Sequence, residues 1–258
     1  MTPAGPAGTL TRVEQAEVWG EATALAYDDD LGDMGSDALV AATVDRLVAL
    51  ADGGPALELA IGTGRIGVPL AARGVAVTGI ELSEPMVARL RTKADAGQLP
   101  VVVGDMAHVR VPGEFALVYL VFNTISNLLE QSEQVACFRN AAAHLRPGGR
   151  FLVELGVPDL RRLPPGTDAV VFESGDGRLG VDTYEVVTQH LVSHHVRFGA
   201  GTPAELFRSR HRYAWPAELD LMAELAGLAL EHRWAGWAEE PFTETSGSHV
   251  SVYRRPEV

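Results

Sequence analysis

Residues 56–67, Ala-Leu-Glu-Leu-Ala-Ile-Gly-Thr-Gly-Arg-Ile-Gly, restrict what this chain can fold into more than any other stretch. Positions 57–61 are apolar except for Glu58, which reads as a parallel strand buried on both faces rather than a half-wet one. The run stops at Gly62-Thr63-Gly64. Val68-Pro69-Leu70-Ala71-Ala72 then reads as a helix start, with proline in the first turn, where an N–H has no partner to lose. Strand, glycine turn and helix together aim backbone N–H groups and a helix N-terminus at an adenosine-containing ligand. Gly62 and Gly64 let that ligand approach the backbone, and Gly67 lets the helix settle on the strand. Spacing alone does not choose among a nicotinamide, a flavin and a methyl-donor site.

The flanking sequence extends the alternation of strand and helix. Ser36 is a good N-cap for a helix carrying Val40, Val44, Leu47 and Val48 up to Gly53-Gly54. After the glycine turn, residues 75–80 form a second apolar strand that ends at Glu81, where a carboxylate can accept hydrogen bonds from two ribose hydroxyls. Ser83 caps the next helix. Residues 100–104 make a third strand with Asp105-Met106 at its tip, an acceptor for an exocyclic amine beside a side chain that packs on a flat ring. Residues 115–122 are the most apolar and hence central strand. They end in Asn123-Thr-Ile-Ser-Asn127, polar groups placed either for the crevice at the strand tips or for the loop's own backbone. A helix with Val135, Phe138, Ala142 and Leu145 on one face stops at Arg146-Pro147-Gly148-Gly149, and residues 150–155 are the fifth strand.

The pattern changes after Val157. Residues 169–174, 178–190, 194–198 and 207–215 read as strands joined by short turns such as Gly175-Asp176-Gly177, so they pair antiparallel. His190, His194, His195 and His211 fall here, and in alternating strands only some of them can face inward. A helix over 216–225 and strands over 229–237 and 249–254 close the chain. At the other end, residues 14–27 read as a helix with Val18, Trp19, Ala22 and Leu25 on one side. Asp28-Asp29-Asp30 reads as a solvated turn, since contiguous aspartates lack the alternating spacing of a calcium loop. No metal site is expected.

Composition narrows the partners. A net charge of −13 in 258 residues argues against tracking a nucleic-acid backbone, which needs a basic face. Cys137 is the lone cysteine, so no internal disulfide forms and a reducing cytoplasm is the default location. The first residues lack the basic and apolar regions of a signal peptide, and no apolar run spans a bilayer.

Four segments taken together, Glu58-Leu-Ala-Ile-Gly-Thr-Gly-Arg65, Gly79-Ile-Glu-Leu-Ser83, Gly104-Asp105-Met106 and Leu145-Arg-Pro-Gly-Gly149, resemble class I methyltransferases that use S-adenosylmethionine (SAM). The likeness covers 36–156 well and 216–258 loosely. The insert resembles small-molecule members such as the N,N-dimethyltransferases of nucleotide-linked amino sugars. One departure is Ala60, where many members carry glycine. The resemblance implies an α/β fold: a doubly wound, mostly parallel seven-stranded Rossmann-like methyltransferase sheet, with an inserted antiparallel sheet after the fifth strand. Residues 1–35 would be a helical lid, 36–157 with 216–258 the SAM-binding domain, and 158–215 the substrate-side insert.

For the cofactor, the resemblance implies contacts at Tyr27, Glu58, Ala60, Gly62, Gly64, Arg65, Glu81, Leu82, Asp105, Met106 and Val121. The 62–64 turn would face the methionyl part, Glu81 the ribose, Asp105 and Met106 the adenine, and Tyr27 the carboxylate end. Trp19, Asn123 and Asn127 are candidates for the acceptor side. The implied reaction is direct methyl displacement onto a small-molecule, secondary-metabolite acceptor, with proximity dominant and no residue singled out as catalytic. Neither nucleic acid nor membrane is a partner on this reading, and a homodimer is compatible with it. The alternatives are an NAD(P)-dependent oxidoreductase, which leaves Asp105-Met106 and the Pro-Gly-Gly turn unexplained, and a non-catalytic SAM-binding protein.

Overall fold

The computed structural model describes residues 18–30, 36–175, 177–199, 201 and 203–257. Its elements alternate from helix α1 (Glu21–Asp30) and α2 (Asp37–Ala51) through β1 (Ala56–Leu59), α3 (Gly67–Ala72), β2 (Val77–Glu81), α4 (Glu84–Arg91), β3 (Val101–Val103) and β4 (Phe115–Leu120). A 3-10 turn (Thr124–Asn127), α5 (Gln131–His144) and β5 (Leu145–Gly156) follow. Then come β6 (Ala169–Gly175), β7 (Arg178–Glu185), β8 (His190–Arg197) and β9 (Glu205–Arg212). Helix α6 (Pro216–Leu225), β10 (Ala229–Trp234) and β11 (Ser248–Arg254) end the chain.

Seven strands form one sheet in the order β10-β11-β5-β4-β1-β2-β3. Pairs β1/β2, β1/β4, β2/β3 and β4/β5 are parallel, and β11 runs antiparallel to both of its neighbours. Alternation along the strands decides which side chains reach which helices. Leu57, Leu59, Val118, Leu120, Phe151 and Val153 point to one layer, where they meet Phe138 of α5 and Leu219 of α6. Leu117, Tyr119, Leu152 and Val252 point to the other, against Leu47 of α2, Leu70 of α3 and Leu90 of α4. Helices therefore cover both faces, as a parallel sheet requires. The second sheet is antiparallel, β6-β7-β8-β9, and lies in the chain between β5 and α6. This is the doubly wound, mostly parallel architecture with an antiparallel insertion that the sequence implied.

Several local expectations need correction. The strand expected over 178–190 ends at Glu185. Residues 186–189 turn, and β8 begins at His190 rather than at 194. The turn contains no glycine or proline; Gln189 supplies the left-handed corner with φ +59. Ser36 stands at the N-cap of α2 but makes no capping bond, whereas Ser83 Oγ accepts from Met86 N at 3.2 Å as expected. At the N-terminus, residues 14–17 lie outside the described residues and the helix starts at Glu21. It is also rotated from the expected face, with Leu25 60% exposed and Ala24 buried. The aspartates are not a turn at all, because 28–30 complete α1. Tertiary bonds made by Asp28, described below, override a local sequence that favoured a turn.

Candidate cofactor and acceptor site

The tips of β1, β2, β3 and β4 open into one cavity of about 720 Å³. Its floor is the turn after β1. Gly62 has φ +58 with open space where a Cβ would stand, so the backbone presents itself bare to the cavity. Gly67 is needed for a different reason: a Cβ there would come within 2.7 Å of Glu58 Oε2 and of Ile61. Ala60 is a non-glycine residue at φ +54. The departure at this position therefore strains the backbone, by roughly 1–2 kcal/mol for an L-residue in the left-handed region. Ala60→Gly is expected to preserve the fold and leave the thermal midpoint unchanged or slightly raised in calorimetry. Relief of that strain and the greater freedom of an unfolded glycine nearly offset each other.

Glu81 ends β2 as a buried carboxylate. Oε2 accepts from Gly62 N at 2.8 Å and Oε1 from Ser83 N at 2.8 Å, so the acid ties its own strand tip to the glycine turn. Burial raises its pKa, and the bonds from Ser83, Gly62 and Leu82 oppose the rise. The carboxylate keeps lone-pair capacity for a further donor. Asp105 and Met106 follow β3. Asp105 accepts from Ala107 N at 3.0 Å and pairs with His108 Nδ1 at 2.7 Å, while Met106 is buried at the cavity wall. Leu82 and Gly104 also line this part.

Tyr27 and Trp19 close the cavity from the N-terminal side, their rings edge to face with centroids 6.0 Å apart. Burial pushes the Tyr27 phenol up to about 12, so it stays a hydrogen-bond donor at neutral pH. The segment carrying them is bolted down. Asp28 Oδ1 accepts from Thr63 Oγ1 at 2.7 Å, inside the glycine turn, and Oδ2 from Lys93 Nζ at 2.6 Å. Burial opposes ionisation of Asp28, but the bonds from Lys93 and Thr63 prevail and hold its carboxyl below the ordinary value. Ser83 Oγ donates to Trp19 O at 2.6 Å.

The tip of β4 is strained at two successive residues, Phe122 (φ +65) and Asn123 (φ +56). Such strain persists only where the surroundings fix it. Glu154 accepts from Phe122 N at 2.7 Å, and Asn123 Oδ1 accepts from Gly156 N at 2.7 Å. Asn123 thus satisfies backbone while it also lines the cavity beside Asn127.

The sequence-derived candidates separate into two groups. Tyr27, Ala60, Gly62, Glu81, Leu82, Asp105, Met106, Trp19, Asn123 and Asn127 converge on the cavity. Glu58, Gly64, Arg65 and Val121 are not among its lining residues. Glu58 lies beneath the turn, fully buried, where it accepts from Tyr119 Oη at 2.9 Å. Arg65 lies over the Phe122 ring, 4.6 Å from its centroid, Gly64 packs against Val68 and Leu90, and Val121 joins the interior cluster.

Burial raises Glu58 to about 8, Tyr119 and Arg65 pulling the other way. A carboxyl whose folded pKa exceeds its unfolded value binds its proton more tightly in the native state. Its contribution to stability is therefore present at low pH and lost as the pH rises from 4.5 to about 8. The thermal midpoint is expected to fall across that window, and Glu58→Gln to flatten the fall.

The antiparallel sheet supplies the far wall, on the side where the sequence reading put the insert, but apart from the histidines that reading named none of its lining residues. Asp182 and Tyr184 of β7, Leu191, Ser193 and His195 of β8, and Ser209 and His211 of β9 all face the cavity. Period-two alternation is the signal that finds them. It also sorts the histidines: His195 and His211 face in, His194 bonds Thr183 and Arg208, and His190 donates to Leu129 O.

A sheet with one reversed strand, a bare glycine turn and an acid at the next strand tip define a site of the SAM-dependent methyltransferase class. The open backbone at Gly62 and the residual lone pairs of Glu81 fit that cofactor. Known proteins agree. The family model described as a methyltransferase domain matches residues 56–149. A Streptomyces protein named cypemycin N-terminal methyltransferase is 30% identical over 207 residues, 79% of this chain and 84% of that protein. The CcbJ methyltransferase of Streptomyces caelestis superposes with a TM-score of 0.83 at 38% identity, covering 93% of this chain and 98% of its own. SAM-bound CalS10 of Micromonospora echinaspora, an amino pentose methyltransferase, shares the fold with a TM-score of 0.69 at 20% identity, over 89% of this chain and 96% of its own. The chain belongs to the SAM-dependent methyltransferases. The oxidoreductase and non-catalytic readings fall with that assignment.

Proposed function

We propose that this enzyme methylates an amine on a small acceptor of the secondary-metabolite kind. The observation that carries the reading is that one cavity runs from the strand tips to the wall of the antiparallel sheet, with Asp182 exposed to it there. Four carboxyls line the described cavity, Glu81, Asp105, Asp159 and Asp182, against the single guanidinium of Arg162. A cavity of that sign favours cationic or N–H-bearing guests. The relative named for an N-terminus agrees with a nitrogen acceptor.

On this reading residues 1–35 are a lid, 36–157 with 216–258 bind SAM, and 158–215 hold the acceptor. Bound SAM supplies a methyl group already attached to its leaving group. What remains for the protein is alignment and exclusion of water, and proximity alone is worth roughly 7–11 kcal/mol of barrier. The 62–64 turn, Glu81, Asp105 and Met106 orient the cofactor, Trp19 and Tyr27 cover it, and Asn123 and Asn127 sit where the acceptor enters. Among the described residues no helix is long and apolar enough to cross a membrane, which accords with a cytoplasmic location.

Incubation with SAM and matched acceptors tests the reading: amino sugars and short peptides with free N-termini against neutral polyols. Release of S-adenosylhomocysteine (SAH) with the amines, and a methyl gain in the product by mass spectrometry, support it. Turnover restricted to hydroxyl or carbon acceptors rejects it.

A further inference from the structure

The wall of the antiparallel sheet carries a polar row that the cofactor side leaves unused. Register places Val170, Asp182, Ser193 and Ser209 directly opposite one another across β6 to β9. One step along the sheet lies the row of Gly180, His195 and Phe207, and on the other side the row of Tyr184, Leu191 and His211. Opposite side chains in such a sheet stand about 5 Å apart and diagonal ones about 7–8 Å. Asp182 and His195 are a diagonal pair on the cavity face of the sheet.

The row is organised for a guest. Ser193 Oγ donates to Asp182 Oδ1 at 2.6 Å on the cavity wall, and among the described residues no other side chain hydrogen-bonds Asp182. His211 Nε2 is 2.8 Å from Ser209 Oγ. His195 is held between two rings, Phe172 at 5.3 Å and Phe207 at 5.9 Å between centroids. Gly180 is required beneath this stack, since a Cβ there would come within 2.3 Å of the Phe172 ring.

We infer that Asp182, Ser193 and His195 form the acceptor subsite, which reads an ammonium or N–H donor by placing it between the Asp182 carboxylate and the His195 ring. The inference rests on the methyl-transfer reading above and specifies the acceptor group. Burial pulls His195 below its ordinary value, with Glu173 and Asp182 opposing and Arg197 and Arg178 adding, which favours the neutral ring. Burial pushes His211 down to about 4, with His195 adding. Burial raises Asp182, while Ser193, His195, His194 and Arg162 lower it.

The proton balance then closes with His195 as the relay between guest and solvent. An acceptor ammonium gives one proton to the His195 ring: an N–H bond of the guest breaks and a ring N–H forms. The freed nitrogen pair makes the N–CH₃ bond as the C–S bond of the sulfonium breaks, its electrons going to sulfur. The product leaves as the methylated ammonium, and the His195 ring returns its one proton to solvent, which restores the starting state.

The test uses the full chain saturated with SAH, ring-labelled at histidine, titrated with primary and secondary amines and with alcohols of matched shape. The expected result is amine binding at least about tenfold tighter than that of the matched alcohols, the size of one hydrogen bond to a charged group. The His195 ring resonances should move with the amines. Asp182→Asn should erase the preference while SAH affinity stays unchanged, and His195→Asn should narrow the preference without abolishing it. Equal binding of amines and alcohols, a preference retained in Asp182→Asn, or no amine binding at all overturns the subsite. SAH that fails to bind removes the methyl-transfer reading itself, a result distinguishable from the others.

Discussion

Replacing Glu81 with alanine is expected to weaken SAM binding by about 1.5–3 kcal/mol, the range for hydrogen bonds to a charged group, or roughly 10- to 150-fold in Kd. Two losses contribute. The first is the remaining acceptor capacity that the carboxylate keeps at the cavity from the end of β2. The second is local order: Gly62 N and Ser83 N both donate to this carboxylate, so its removal loosens the turn that forms the cavity floor. Glu81→Gln separates the two, because one amide oxygen remains for one of the backbone donors while the charge is gone. Titration calorimetry with SAM and SAH, alongside thermal melts, checks the prediction. A folded Glu81→Ala protein with native SAM affinity would make the acid a strut for the turn and nothing more.

Much of the fold was legible because the residues that build it act locally. An apolar run broken at Gly62 can only be a buried strand and a tight turn. Glu81, Asp105 and Asn123 stand at strand ends, which sequence marks by the change from apolar to polar. What stayed hidden depends on distant partners. Asp28 looked like part of a solvated turn, since the Thr63 and Lys93 that hold it are 35 and 65 residues away. The corner at 186–189 bears no glycine or proline and was read as strand. Asp182 carried no signal alone; it became visible once the register set Ser193 opposite it and His195 beside that pair. Glu58 and Arg65 were named for the cofactor through the motif that carries the resemblance. The structure puts one beneath the turn and the other over Phe122.

Deleting residues 1–30 is expected to leave the two sheets folded while methyl transfer falls by at least about 100-fold, the loss that a slightly misplaced reacting group brings. The fold should persist because helix α1 belongs to neither sheet and contributes to neither interior cluster. Activity should collapse because Trp19 and Tyr27 are the described wall on that side of the cavity, and without them water reaches the cofactor. A gentler variant locates the cause. Asp28→Ala keeps every residue of the lid but cuts its bonds to Thr63 and Lys93, leaving the Ser83–Trp19 bond to hold it. Its activity should lie between those of the wild type and the truncation, with SAM affinity reduced by a smaller factor than methyl transfer. Circular dichroism, SAM titration and SAH release on the three proteins decide the matter. A truncated enzyme with full turnover would mean that the acceptor cavity closes by some other element and that the Asp28 contacts serve stability alone.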